Sequence, residues 1–395
     1  MPILLKKLIK RFRPSILGFY SFMEYLFIYR KYRAIPNIKK GLECTISKAN
    51  LGDAQYLTIL ERLTNSYNKA KEDQIKIDPP YRVGSMWQKI IDDRFIDLIS
   101  SLKEKNLESL KALLENFHRE KFTLWSGGSA DDYFGMKKTK FYKYQLANTW
   151  CKYYNVYEKI RGVNQELNYP QFGNPIGLFH NGQIIPIEAV RYHYYAIEVI
   201  SLLRDVMNPV VCEIGSGLGG QAYTILSNSN RDLTYILLDI PEMLIISSYF
   251  LMVAFPNKKF LLYGENTQNY ANLDQYDIIL MPNFILPKLA DETVDLFFNE
   301  SSFSEMNKAT VEEYLHQIER VGSKYFMHIN HDAKFVWYEN EKKIENLPGS
   351  QINPDPKRFK RIYKHPRLFA RLEDKVFYYS NKADHFAFLY ERIKL

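Results

Sequence analysis

The chain has 395 residues, 46% of them apolar and 25% charged, which is enough to bury the core of two or three domains. Its three cysteines, Cys44, Cys151 and Cys212, give neither a disulfide framework nor a metal-binding spacing, and they favour a reducing, cytoplasmic environment. The net charge of +8 comes without any nucleic-acid-binding motif, so we predict no nucleic-acid partner.

The first 33 residues are a basic amphipathic segment. Apolar residues recur at helical spacing opposite a cluster of lysines and arginines, and Pro14 ends the pattern. Such a segment is typical of a helix that lies on an anionic membrane and equally of one that packs on its own domain. Both interpretations stay open, and the first would place the protein at the inner membrane as a peripheral protein.

Residues 34–168 have a helical pattern. Apolar residues repeat at helical intervals over residues 86–99 and 107–117, and an aromatic-rich repeat covers residues 142–160. No catalytic motif occurs among them. We therefore predict an all-helical domain or cap, followed by a second domain over residues 169–395.

The main motif of the second domain is a glycine-rich stretch. Residues 188–203 form a predicted helix, residues 210–214 a predicted strand, and Gly215, Gly217 and Gly220 then fit the G-x-G-x-x-G pattern of dinucleotide sites. Glu213 precedes the first glycine by two residues. A carboxylate there repels a pyrophosphate, but it suits the amino group of S-adenosylmethionine, directly or through water.

Further candidates for binding this cofactor follow the glycine turn. Asp239 ends the second predicted strand and is placed to accept both ribose hydroxyls. At the end of the third strand, Asn283 is expected to bond the adenine edge and Phe284 to stack on it. Arg191 and Tyr192, near the start of the preceding helix, are candidates for the cofactor carboxylate.

The rest of the domain alternates strands and helices. Strands are predicted over residues 276–282, 294–298 and 325–329, and right-handed crossovers place their carboxyl ends at one edge of a parallel sheet. Residues 333–374 are interpreted as an insertion over the site. Residues 376–379 and 385–392 are predicted to close the sheet as an antiparallel hairpin.

The acid-glycine pattern resembles motif I of the class I S-adenosylmethionine-dependent methyltransferases. Residues 213–219, 239–241 and 299–306 together resemble the bacterial sugar O-methyltransferase family found with polysaccharide and glycosylated natural-product genes. The resemblance covers residues 170–395 and implies a Rossmann-like, seven-stranded α/β sheet with a C-terminal hairpin. The cofactor residues that we predict are Arg191, Tyr192, Glu213, Gly215, Ser216, Gly217, Gly219, Asp239, Ile240, Asn283, Phe284 and Asn299.

The implied reaction is an in-line methyl transfer to a sugar hydroxyl, which needs a general base. The candidates, in order, are His331, Glu300 and Glu305, whereas His328 lies inside a strand and is expected to be packed. We predict no dedicated metal site. An acceptor that is not a sugar, a phosphate acceptor, and a catalytically silent docking module stay as alternatives. A nicotinamide dehydrogenase is disfavoured by Glu213 and by the closing hairpin.

Overall fold

The computed structural model describes residues 19–30, 34–123, 144, 147–148, 151–152, 154, 167–265, 270, 273–334, 336–339, 342–367 and 385–393. Most of the basic amphipathic segment over residues 1–33 and the whole predicted strand over residues 376–379 lie outside these ranges. Within them, no helix combines the length and the hydropathy that crossing a bilayer requires.

The helices are α1 Ala34–Glu43, α2 Asp53–Gln74, α3 Ser85–Arg94, α4 Ile96–Lys103, α5 Leu107–Leu114, α6 Ile187–Leu202, α7 Gly220–Asn228, α8 Pro241–Ala254 and α9 Lys308–Val321. The strands are β1 Leu178–His180, β2 Gln183–Ile185, β3 Val210–Ile214, β4 Thr234–Asp239, β5 Phe260–Leu262, β6 Ile278–Pro282, β7 Val294–Glu300, β8 Gly322–His331, β9 Val336–Glu339, β10 Lys342–Glu345, β11 Phe359–Pro366 and β12 His385–Arg392.

The chain folds as two compact units. One contains the described residues up to Ala49 and the described residues of Glu115–Tyr194, and the other contains Asn50–Leu114 and the described residues from Tyr195 onward. Residues 50–114 thus group with the sheet, where α2 packs on α8 and the hydroxyls of Tyr56 and Tyr249 are 2.7 Å apart. These units do not coincide with the predicted boundary at residue 169. Between residues 34 and 123 the structure has helices and turns and no strand.

The first unit has a short hairpin, which pairs β1 with β2 in antiparallel register. Asn181 and Gly182 form its turn with φ of 46° and 83°, as the Asn-Gly pair predicts. Helix α1 packs against β1. Helix α6 then carries the chain from this unit into the second.

The second unit is built on an eight-stranded sheet in the order β11-β12-β8-β7-β3-β4-β6-β5. Strand β12 runs antiparallel to both of its neighbours, and the pairs on the other side of β8 are parallel. The predicted count of seven strands is not confirmed. Strand β5 adds the eighth, and its three residues are too few to show a strand periodicity in the sequence.

An antiparallel pair closes the sheet, and its outer strand comes from residues that were interpreted as part of an insertion. Strand β11, Phe359–Pro366, pairs with β12, whereas the sequence suggested an insertion over residues 333–374. Strand β11 was not predicted because most of its side chains are exposed and its first residues form a basic run, so it lacks the apolar pattern of a buried strand. The predicted insertion also contains the hairpin β9 and β10.

One cluster of the core of the second unit lies against one face of the sheet, where Cys212, Ile214, Ile236 and Leu238 are buried. Helix α9 covers this face, since its buried residues recur at helical spacing and the Asn307 side chain caps it by accepting a bond from the Thr310 amide. The opposite face carries Glu213 and Phe298. This packing fixes the carboxyl ends of β3, β4 and β7 side by side.

Candidate functional site

Three glycines with positive φ shape the turn between β3 and α7. Gly215, Gly217 and Gly219 have φ of 76°, 54° and 81°. A Cβ at Gly215 would lie 2.3 Å from Ser302 Oγ, whereas a Cβ at Gly217 would meet no described atom within 4 Å. Gly215 is therefore needed for packing within the protein. Gly217 faces open space at the carboxyl edge of the sheet, as a turn that approaches a ligand should.

Asp239, at the end of β4, is tied directly to this turn. Its Oδ2 accepts a bond of 2.9 Å from the Gly217 amide, and its Oδ1 accepts one of 2.7 Å from the Ile240 amide. Burial raises the pKa of Asp239 to about 6, and the two amide donors oppose that rise. Each carboxylate oxygen keeps further acceptor capacity, which suits a pair of ribose hydroxyls.

Glu213 is buried in β3 and accepts a hydrogen bond of 2.9 Å from the Tyr235 hydroxyl. Burial holds the pKa of Glu213 well above its ordinary value, and the charges of Glu300 and Asp239 raise it further. The charges of Glu300 and Asp239 thus act on Glu213 from the two strands that neighbour β3 in the sheet. Such a cluster is stabilised by a bound cation, which relieves both the repulsion and the cost of burying charge.

Glu300 and Glu305 flank the short helical turn that follows β7. Glu300 lies 3.7 Å from the Arg367 guanidinium, measured from Oε1 to Nη2. Glu305 accepts a hydrogen bond of 2.9 Å from the Trp87 indole, which α3 supplies. Burial raises the pKa of Glu305 to about 7, and the charge of Asp239 adds to that rise. A carboxyl group that titrates near neutral pH can take up a proton during a reaction.

Asn283 and Phe284 follow β6, as predicted. The Asn283 side-chain amide donates to the Tyr81 carbonyl and to the Tyr314 hydroxyl, both at 3.0 Å. Its Oδ1 is buried and has no hydrogen-bond partner within the described part of the chain. Phe284 is buried edge-to-face against Tyr263. Asn283 therefore offers one free acceptor, which matches the exocyclic amino group of an adenine.

Asn299 holds the sheet together at this edge. Its Nδ2 donates to the Ile214 carbonyl at 2.8 Å, and its Oδ1 accepts from Asn330 Nδ2 at 2.8 Å. Nδ2 also lies 2.5 Å from Ser302 Oγ. Both polar atoms of Asn299 are thus bonded within the protein. The observed role is to join the ends of β3, β7 and β8, and its predicted contact with the cofactor stays a prediction.

His331 ends β8 and pairs across the sheet with His385, the first residue of β12. The centroids of the two imidazole rings are 3.2 Å apart. His328 is packed, as its place inside a strand indicates: it is fully buried, Nε2 lies 3.0 Å from the Ile352 carbonyl oxygen, and burial lowers its pKa to about 3.

Four further predicted residues have less direct support. Ser216 is buried within the glycine turn, and Ile240 is the residue before α8 whose amide bonds Asp239. Arg191 and Tyr192 belong to the first unit, where the Arg191 guanidinium lies over the Tyr192 ring at 5.1 Å from its centroid. Their assignment to the cofactor carboxylate stays a prediction.

The sequence analysis missed three residues of this edge. Trp87 and Arg367 come from α3 and from the residue after β11, and no local pattern marks either of them. Ser301 has φ of 68° and ψ of −31°, an uncommon conformation for a residue that is not glycine. It redirects the chain between Glu300 and Ser302. Among the described residues, no group of three histidine, cysteine, aspartate or glutamate side chains is arranged to hold a metal ion.

No protein-family model and no curated protein matches the chain. It is similar to the solved structure of the PH0226 protein from Pyrococcus horikoshii OT3, with 11% identity, coverage of 60% of this chain and 99% of that one, and a TM-score of 0.33. It is also similar to the glycopeptide N-methyltransferase MtfA complexed with S-adenosylmethionine, with 10% identity, coverage of 49% and 86%, and a TM-score of 0.32.

A third similar structure is the magnesium protoporphyrin IX methyltransferase ChlM from Synechocystis PCC 6803 with bound S-adenosylhomocysteine. The identity is 12%, the coverage is 54% of this chain and 91% of that one, and the TM-score is 0.33. At these scores all three similarities are distant, so the function is proposed from the site itself.

Proposed function

We propose that this protein is an S-adenosylmethionine-dependent O-methyltransferase that methylates a sugar hydroxyl in a bacterial surface polysaccharide or glycosylated metabolite. The observation that carries the proposal is the bond between Asp239 and the Gly217 amide at the carboxyl edge of the sheet. This bond joins the Asp239 carboxylate, whose two oxygens can accept hydrogen bonds from ribose hydroxyls, to a turn that faces open space. The sequence resemblance suggests that the molecule to be methylated is a sugar.

The residues at this edge fit the three parts of the cofactor. Asp239 would accept the ribose hydroxyls, and the unpartnered Asn283 Oδ1 would accept the adenine amino group. Glu213 would face the ammonium group. A cationic ligand suits this carboxylate because burial and the charges of Glu300 and Asp239 raise its pKa. A pyrophosphate would add negative charge to the same cluster.

The bound cofactor supplies an electrophilic methyl group, and the protein must orient the acceptor hydroxyl and accept its proton. Among the three predicted bases we favour Glu305. Its pKa of about 7 suits proton uptake at neutral pH, and its charge interacts with that of Asp239. Glu300 and His331 lie at the ends of β7 and β8 and stay as alternatives.

The acceptor class has a chemical basis at this edge as well. Sugars bind through hydroxyl groups that donate to carboxylates and through C–H faces that pack on aromatic rings. Glu300 and Glu305 supply carboxylates, and Trp87 supplies an indole held by its bond to Glu305. A non-sugar or phosphate acceptor would need the same cofactor site, so the two questions are tested separately.

The first experiment is calorimetric titration with S-adenosylhomocysteine and, separately, with NADH. Binding of the adenosyl ligand that is lost in Asp239→Ala supports the proposal. The matched control is Asp205→Ala, since that side chain is 90% exposed and should leave binding unchanged. Absence of adenosyl binding by the wild type excludes the proposal, and binding of NADH instead would favour a dehydrogenase. Cofactor binding without transfer to nucleotide sugars, lipid-linked glycans or phosphate acceptors would favour a docking module.

A further inference from the structure

Arg367 is a buried cation with incomplete hydrogen bonding. Its residue is 9% exposed, and its guanidinium has one ion-pair contact in the described structure, to Glu300 at 3.7 Å. That distance is too long for a hydrogen bond. Arg367 Nε is buried and has no partner among the described residues. A guanidinium has five hydrogen-bond donors, and buried cations are normally paired. Donors of Arg367 are therefore available to a further hydrogen-bond acceptor.

The fold places Arg367 on one side of the cofactor site. Its amide donates to the His385 carbonyl at 2.9 Å, which sets its backbone beside the start of β12. Strand β12 lies three strands from β3, roughly 14 Å at the usual strand spacing, on the side opposite to β4 and Asp239. The guanidinium reaches back from there to Glu300, at the end of β7. It therefore lies on the side of β3 that is opposite to the ribose anchor Asp239.

The neighbouring groups are also polar. His331 and His385 pair at the same end of β8 and β12. Imidazole and guanidinium groups are donors to carboxylate and phosphate oxygens, and a guanidinium binds such anions through two parallel bonds. The adjacent Glu300 carboxylate accepts from hydroxyl groups. A ligand that offers an anionic group and hydroxyls side by side could bind Arg367 through its anionic group and contact Glu300 through a hydroxyl.

We infer that Arg367 binds an anionic group of the acceptor, so that the substrate is an acidic sugar carrying a carboxylate or a phosphate. This inference rests on the proposed function and specifies its substrate class. A neutral sugar would leave the buried Arg367 donors unsatisfied, at a cost in affinity. Arg367 selects acidic sugars by direct contact with the sugar to be methylated, and it takes no part in holding the adenosyl group.

The test is saturation-transfer NMR on the full protein with saturating S-adenosylhomocysteine. The probes are methyl α-glucopyranoside and its counterparts with a carboxylate or a phosphate at C6, together with the corresponding galactose pair. We expect at least one anionic sugar to bind at least about tenfold more tightly than its neutral twin, the factor that charge-assisted hydrogen bonds supply. Whether the carboxylate sugar or the phosphate sugar binds shows which of the two anionic groups Arg367 recognises.

Two variants locate the effect. Arg367→Gln should remove the preference, and Arg367→Lys, which keeps the charge beside Glu300, should retain part of it. Lys360→Gln is the control, because it removes one charge from an exposed position of β11. Should Arg367→Gln fail to fold, Arg367→Lys is the test, and a preference reduced from that of the wild type is the expected result.

The inference is overturned if no anionic sugar binds, if neutral and anionic twins bind equally, or if both Arg367 variants keep the full preference. It is also overturned if Arg367→Gln binds S-adenosylhomocysteine about tenfold more weakly in calorimetry, since Arg367 would then serve the cofactor carboxylate. Failure of the proposed function gives a different result, because the wild type would not bind S-adenosylhomocysteine at all.

Discussion

Replacing Glu305 by glutamine should stabilise the protein at alkaline pH. Burial raises the pKa of Glu305 from its ordinary 4.5 to about 7, a difference that corresponds to about 3 kcal/mol. The folded protein holds this proton more tightly than the unfolded chain does. The penalty for ionising Glu305 is therefore absent below about pH 4.5, grows as the pH rises, and is complete above about pH 7. Glutamine keeps an acceptor for the Trp87 indole and carries no charge.

The measurement is urea unfolding of the wild type and Glu305→Gln at pH 5 and pH 8 without ligand. From the two pKa values we expect the variant to be more stable by about 1 kcal/mol at pH 5 and by about 3 kcal/mol at pH 8. Glu312→Gln is the control, since this glutamate is 58% exposed in α9 and its ion pair with Lys308 should matter by less than about 0.5 kcal/mol. The reasoning would be refuted if the stability gained by Glu305→Gln were the same at pH 5 and pH 8, or if the variant were less stable than the wild type at pH 8.

Four further predictions follow from the same edge of the sheet. Glu305→Gln should slow methyl transfer about 100-fold or more while S-adenosylhomocysteine still binds in calorimetry, as loss of a general base requires. S-adenosylhomocysteine affinity should rise from pH 5 to pH 7.5 as Asp239, with its pKa of about 6, ionises; a flat calorimetric profile would contradict this. Gly215→Ala should prevent stable folding because its Cβ meets a side chain at 2.3 Å, whereas Gly217→Ala should cost about 1 kcal/mol in thermal unfolding and weaken binding more than folding. Asn299→Ala should lower the free energy of unfolding by about 3 kcal/mol, because it breaks the bonds from β7 to the two neighbouring strands; a loss below about 1 kcal/mol would mean that water replaces them.

Local sequence patterns were sufficient for the centre of the sheet. The strand before the glycine turn was predicted at residues 210–214, where β3 lies, and the second strand was predicted over residues 234–238, one residue shorter than β4. Strands covered on both faces show continuous apolar runs, and glycines with positive φ mark the turn between them. The edges were less predictable. Strand β5 is too short for a periodic pattern, and the exposed side chains of β11 look like those of a basic loop.

The residues of the glycine turn could be recognised in the sequence, because Glu213 precedes the glycines and Asp239 ends the next strand, and short connections link these positions along the chain. The groups that surround the turn depend on tertiary packing. Trp87 reaches Glu305 across 218 positions, and Arg367 reaches Glu300 from the residue that follows β11. Such contacts depend on how helices and strands pack, because side chains distant in sequence meet only when the sheet and its covering helices are assembled. The pKa of Glu305 follows from the same packing, since burial raises it.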